Sequence, residues 1–552
     1  MKGIKKKFMS RIMAVCLMLV MMLSAGISVS AALTTDSTAS ITISGIETDE
    51  KGNGIGTLSV YKVIDVNVKN NQPEAPVYRW DTAVAGWVNQ NFSSYIDVDN
   101  SNAVTNTFLK LSDDRLKAFV DQLANAIRNA TITLSTDTIP LSEKTPTGDD
   151  KEITVGLKLG AYLFLIEGGV RIYSPGFAAV YPDTDEDDGS WGAVGHSINV
   201  SMKSEEPGID KTVSDYTYEI GQTVTYRLIV DVPDYPENAV DKKFIIADYL
   251  SEGLTLDEES IMIYNYSDTA EDNKGDVIKG YFDDYEFGAQ YPEKGANPSF
   301  AKSFTGDYDI LASQVIVEYS ATVNEKAVVM ESTETGNGLD NKVYLIYNNN
   351  PYTEDGYREI PDEERVYTYG IQVTKTGDGN EELPGAEFTL KPEGGSELQF
   401  IKEDDGVYRR PLSTDSSSVA RTTTLVTDRK GLIQIKGLDL GTYILTETKA
   451  PEGYELPSDP TTTIELIDEA DPSTGKPDGI LDNDVSKEYE NTSNNDKDQV
   501  ADGTIDKLVV NTKPGILPRT GGIGTAVFTV CGILLMAGAV LLMVVVSRRK
   551  NR

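Results

Sequence analysis

Residues 441–454 read Gly-Thr-Tyr-Ile-Leu-Thr-Glu-Thr-Lys-Ala-Pro-Glu-Gly-Tyr. Successive side chains of an extended chain point to opposite faces, so Tyr443, Leu445 and Glu447 share one face, and around the acid that face is apolar. An ionised Glu is costly to bury there, which favours a neutral, proton-donating acid with a raised pKa. The same phase test puts Lys375 on the face of Ile371 and Val373. It puts Asn511 on the face of Ile505 and Val509, although Lys507 blurs that face. A buried amine, acid and carboxamide are what a Lys-Asn isopeptide bond requires. Desolvation frees the amine as a nucleophile, while the protonated acid polarises the carboxamide and shuttles protons as ammonia leaves. The plainer alternative is a Lys375 that extends to solvent and pairs with Glu447.

Outward from this stretch the chain keeps a β pattern. Residues 58–66, 223–232, 315–323 and 442–448 alternate in polarity between Gly, Asp, Asn and Pro turns, as sandwich strands do. One helix is expected in the first part, where Ser112 caps a segment with Leu116, Phe119, Val120, Leu123 and Ile127 on one face. The length of 552 residues accommodates about three domains. Polar stretches at 205–208 and 348–364 read as joints, giving bodies over 32–204, 205–366 and 367–513.

The two ends differ. Lys2, Lys5, Lys6, Lys7 and Arg11, an apolar run over 12–23 and small residues over 28–32 make residues 1–31 a secretory signal. Residues 526–546 are continuously apolar and end in Ser547, Arg548, Arg549, Lys550 and Arg552. That is long enough to span a bilayer, with the basic flank on the cytoplasmic side. Residues 514–552 thus form a tail. Both cysteines, Cys16 and Cys531, lie in these ends, so the exported body has no disulfide to hold it.

Composition excludes whole classes. With 87 acidic and 50 basic residues the formal charge is −37, which repels a phosphate backbone; no nucleic-acid partner is expected. The single His, His196, rules out His-based triads and His-rich metal sites, so neither an enzyme nor a cofactor is expected. Asp183, Asp185 and Asp187 begin like a calcium loop, but Asp188 stands at the Gly position and Val194 at the closing Glu. The acidic stretch 468–484 has no better spacing.

Leu517, Pro518, Arg519, Thr520 and Gly521 stand just before the apolar tail, and this pentapeptide, span and basic end resemble the LPxTG sorting signal of Gram-positive surface proteins. Residues 441–454 resemble the E-box of sortase-assembled pilins and collagen-adhesin B-type domains. Together, over essentially the full chain, these features resemble the major shaft pilins of Gram-positive sortase-assembled pili. The resemblance implies a mainly β fold of three tandem Ig-like, collagen-adhesin-type sandwiches on a secreted, wall-attached protein. It also implies a sortase cysteine that attacks the Thr520 carbonyl and releases Gly521 onward. The implied partners are a pilus sortase, a housekeeping sortase, other copies of the chain, tip and base pilins, peptidoglycan and a host ligand.

The second body repeats the Lys, acid and Asn pattern. Lys211 shares a face with Ile209 and Val213, Asp248 with Phe244, Ile246 and Leu250, and Asn341 with Val343, Leu345 and Tyr347. The Lys-to-Asn separations, 130 and 136 residues, suggest two sandwiches each tied first strand to last. Asp248 and Glu447 are the expected promoting acids, as in the middle and C-terminal domains of the resembled pilins. The first body departs from this: Glu167 falls one place too far from Tyr162 to share its face, so no bond is expected there. In the family a WxxxVxVYPK motif supplies the polymerising lysine. Here Trp191, Ile198, Val200 and Lys203 keep the alternation and the terminal Lys, while Ser201 and Met202 replace Tyr-Pro. Lys203 is the expected nucleophile toward Thr520. A monomeric, wall-anchored adhesin that binds a host ligand is the alternative reading.

Overall fold

The computed structural model describes residues 37–70, 72–183, 198–235, 239–287, 297–329, 338–352, 356–482, 502–514 and 523–550. The signal segment, Trp191, Asp185 to Val194 and the pentapeptide 517–521 lie outside the described residues. The structure is mainly β, with a pair of packed sheets in each of three successive bodies.

In the first body a three-stranded sheet, in which Thr38–Ser44 lies parallel to Ile198–Ser201 and antiparallel to Ile153–Lys158, faces a larger sheet built around Thr57–Lys69 and Gly160–Glu167. Strand Gly160–Glu167 is buried on both faces. Tyr162, Phe164 and Ile166 enter the core between the sheets, while Ala161, Leu163 and Leu165 meet the helices on the outside. That double burial explains a continuous apolar run in place of alternation.

Helix Asp113–Arg128 packs Phe119, Val120, Leu123 and Ile127 against this outer face. Ser112 stands at its N-cap position, but the side chain makes no capping hydrogen bond. The expectation of one helix was also too small. Thr82–Asn91, capped by Asp81 on the Ala83 amide, and the short turn Asn106–Leu109 complete the helical layer. Thr82–Asn91 buries only Val84, Ala85 and Val88 and contains Gly86, so its periodic signal is short.

The second body pairs two five-stranded sheets. One holds Ile209–Val213, Thr223–Asp231 and Gln314–Val323; the other holds Phe244–Leu250, Leu339–Tyr347 and Arg358–Val366. The stretch 348–364 is therefore not a joint. Its second half is the last strand of the body, paired from Leu339↔Val366 to Tyr347↔Arg358. Charged residues and Pro361 suit a sheet edge and hide the strand from a polarity reading. Asn341 consequently lies on the penultimate strand, which corrects the first-to-last tie expected here.

The third body packs a six-stranded sheet on a four-stranded one. Its first strand, Tyr369–Gly377, runs parallel to and beside its last, Thr504–Asn511. After the described body, helix Ile523–Lys550 carries the apolar tail, of which Val527–Arg549 is long and apolar enough to cross a membrane.

Candidate functional site: two buried triads of lysine, acid and asparagine

In the second body Lys211, Asp248 and Asn341 are 2%, 0% and 0% exposed. Lys211 comes from one sheet, the other two from neighbouring strands of the facing sheet, where Asp248 stands opposite Val343 and Asn341 opposite Leu250. Lys211 Nζ donates to Asp248 Oδ2 at 2.6 Å and to the Tyr319 hydroxyl at 2.9 Å. Tyr319 donates to the same Oδ2 at 2.6 Å, and Asn341 Nδ2 donates to the Tyr319 oxygen at 2.9 Å. The amine lies 5.1 Å from the Tyr226 ring centre. Burial pushes the Lys211 amine down and the Asp248 carboxyl up, each against the attraction of the other. Desolvation dominates both, favouring an uncharged amine beside an uncharged acid.

In the third body Lys375, Glu447 and Asn511 are likewise buried. Here the lysine and asparagine share a sheet, with Lys375 opposite Val509 and Gly377 opposite Asn511, and the acid comes from the facing sheet. Asn511 Nδ2 donates directly to Glu447 Oε1 at 2.7 Å, and Lys375 Nζ donates to the Val509 carbonyl at 3.1 Å. Burial pushes Lys375 down to about 8 and raises Glu447 despite the nearby lysine and asparagine.

Both triads leave the same two atoms without a hydrogen bond. These are one acid oxygen, Asp248 Oδ1 or Glu447 Oε2, and the carboxamide oxygen, Asn341 Oδ1 or Asn511 Oδ1. Buried acceptors left without a donor are unfavourable, and a proton on the acid avoids leaving a bare carboxylate oxygen among them. The acid chemistry anticipated for the triads thus has a ground-state reason.

Tyr319 escaped the sequence reading. It had a signal, because Val315, Val317, Tyr319, Ala321 and Val323 share the inward face of one strand, and a buried phenol needs a polar partner.

The first body has the same skeleton without the chemistry. Ile41 and Ile43 pair with Val155 and Ile153 as Ile371 and Val373 pair with Ile435 and Ile433, which sets Gly45 where the third body has Lys375. A Cβ at Gly45 would lie 2.5 Å from the Met202 carbonyl oxygen. Tyr162 and Tyr443 each donate to the carbonyl four residues back, so Ile166 occupies the place of Glu447. Glu167 points outward, 3.2 Å from Arg128.

Lys203 is exposed, and its backbone is pinned: the Ser174 amide donates to its carbonyl, Met202 before it is buried, and Ser204 after it pairs with Tyr173. Asp468, in the acidic stretch, accepts from the Tyr369 hydroxyl at 2.7 Å and from the Gly479 amide at 2.8 Å. Among the described residues no His, Cys, Asp and Glu cluster is arranged to hold a metal.

Residues 370–474 match the prealbumin-like fold domain SpaA, and residues 509–551 match the LPXTG cell wall anchor motif. The chain is 26% identical to the trypsin-resistant surface T6 protein of Streptococcus pyogenes, over 65% of this chain and 70% of that one. It is 24% identical to the fimbrial subunit type 1 of Actinomyces viscosus, over 68% of this chain and 70% of that one. The solved T6 backbone pilin of serotype M6 Streptococcus pyogenes, described as a modular three-domain structure, superposes with a TM-score of 0.55 at 21% identity. The superposition covers 88% of this chain and all of that one. Modular β bodies carrying a wall-anchor motif define a cell-wall-attached extracellular structural protein. In particular, the chain resembles the backbone pilins of Gram-positive bacteria.

Proposed function

We propose that this chain is the major shaft subunit of a covalent pilus. Lys203 of one copy attacks the sortase-bound Thr520 carbonyl of the next, and each subunit locks itself with Lys211-Asn341 and Lys375-Asn511 bonds. The observation that carries the reading is the pair of fully buried triads, each with a desolvated amine, an acid and a carboxamide. A burial so costly in two successive bodies is relieved when amine and carboxamide become one neutral amide. Similarity to the T6 and type 1 fimbrial subunits supports the assembly step, and the exposed side chain of Lys203 suits attack on an enzyme-bound acyl group.

Intact mass of the exported body should fall short of the sequence by two ammonia molecules. Glu447→Ala should restore one of them and Asp248→Ala the other; a full sequence mass in the unsubstituted protein ends the self-crosslinking account. In cells that carry the pilus sortase, Lys203→Ala should abolish the high-mass ladder and leave wall-attached monomer. A persistent ladder would show another nucleophile at work, and a monomer in unsubstituted cells would favour the adhesin reading.

A further inference from the structure

The two acids address their asparagines differently. Glu447 touches the Asn511 amide nitrogen, whereas Asp248 has no hydrogen bond to Asn341. The register explains the difference. Asp248 faces Val343, two residues beyond Asn341 on the same strand, a diagonal of roughly 7 Å that a short Asp does not bridge. The Tyr319 hydroxyl fills the gap from the opposite sheet, within hydrogen-bond distance of the attacking amine, the acid and the departing nitrogen.

We propose that Tyr319 is a catalytic residue of the second body, relaying a proton from Asp248 to the leaving nitrogen of Asn341. The proposal rests on the Lys211-Asn341 bond argued above. Neutral Lys211 Nζ attacks Asn341 Cγ, forming the N–C bond and placing the carbonyl electron pair on Oδ1. The tetrahedral nitrogen passes one proton to Asp248 Oδ2, and Oδ2 hands a proton on to Tyr319. Tyr319 in turn gives its hydroxyl proton to Nδ2. The Cγ–Nδ2 bond breaks, ammonia leaves with its electron pair, and Oδ1 returns to a carbonyl. Asp248 and Tyr319 end in the states in which they began, and no outside reactant is required.

The site holds the phenol ready for this. Its ring stacks on Tyr226 at 5.3 Å and meets the edge of Phe300 at 5.0 Å, which fixes the hydroxyl. Burial and the adjacent Asp248 keep the phenol protonated far above its ordinary range. Tyr226 presents a similar ring whose hydroxyl lies near the Asn341 side chain but makes no hydrogen bond to Lys211 or Asp248. It is therefore a matched control.

The test follows bond formation as the denatured, unlinked exported chain refolds, using mass spectrometry of the branched peptides that join Lys211 to Asn341 and Lys375 to Asn511. Tyr319→Phe should slow the second-body peptide by about 100-fold or more, the usual scale of a lost general acid. The third-body peptide should keep its rate, and Tyr226→Phe should leave both unchanged. Equal slowing by Tyr226→Phe would make the effect one of packing and overturn the relay. So would an unslowed Tyr319→Phe. Fluorotyrosine at position 319 preserves the fold while making the hydroxyl more acidic; it should shift the second-body rate severalfold, and an unmoved rate again overturns the relay. If the unsubstituted chain forms only the third-body peptide, the bond reading of the second body fails, and the relay with it.

Discussion

A lysine amine with a pKa of about 8 changes charge near physiological pH, and Lys375 is held there by burial. Its nucleophilic form is the unprotonated one. During refolding of the unlinked chain, the rate of third-body bond formation should rise with pH through about 8, until Glu447 loses the proton it must supply. The stability of the unlinked body has the same sign from this group. Between about 8 and the ordinary lysine value the unfolded chain binds more protons, so Lys375 makes the fold more stable as pH rises across that window. A time course of branched peptide at several pH values checks the first statement; a falling rate across that range would remove the free-amine mechanism. Lys375, Glu447 and Asn511 were legible because strand phase alone puts them among apolar neighbours. Tyr319 was not, because its role depends on which strand faces Asp248, and strand phase carries no information about the facing sheet.

The strands show the same division. Alternation found the strands around 58–66, 223–232, 315–323 and 442–448, yet it missed Arg358–Val366, whose edge position requires little apolar surface. That omission matters because it changes what the second-body bond would join, and leaves the third-body bond as expected. In the third body the linked strands are parallel neighbours, and the chain enters at Tyr369 and leaves at Asn511. A bond from Lys375 to Asn511 closes a loop of more than 100 residues and by analogy with other crosslinks stabilises by about 4 to 5 kcal/mol. Tension then passes directly from first strand to last. Lys375→Ala should therefore make the third body extensible in single-molecule pulling and open to protease, and an unchanged contour length would contradict the placement.

Across the whole molecule the bodies interlock. Ile172 of the first body lies in the core of the second, the Arg358 Nε and Asn349 Nδ2 atoms both donate to the Gly169 carbonyl, and the Arg128 guanidinium sits 3.9 Å from the Tyr352 ring centre. Leu412 of the third body enters the same core. Arg410 pairs with Glu219 at 3.0 Å and Lys476 with Glu364 at 2.6 Å. Such contacts were not legible from a polar stretch read as a joint, since they arise from loops that mean something only once two bodies meet. The edge strand of the second body gives these interlocked bodies one further property. Tension carried through a Lys211-Asn341 bond must continue along residues 342–366, outside the crosslinked loop. Asn341 lies opposite Glu364, so the two ends of that stretch are adjacent and its hydrogen bonds open one after another instead of together. With that bond formed, the edge strand would peel away as a built-in shock absorber, yielding roughly 60 Å per subunit as residues 348–366 extend. Pulling on the linked chain should show a gradual, reversible extension of that size, and shortening the connection between the two strands should shorten it.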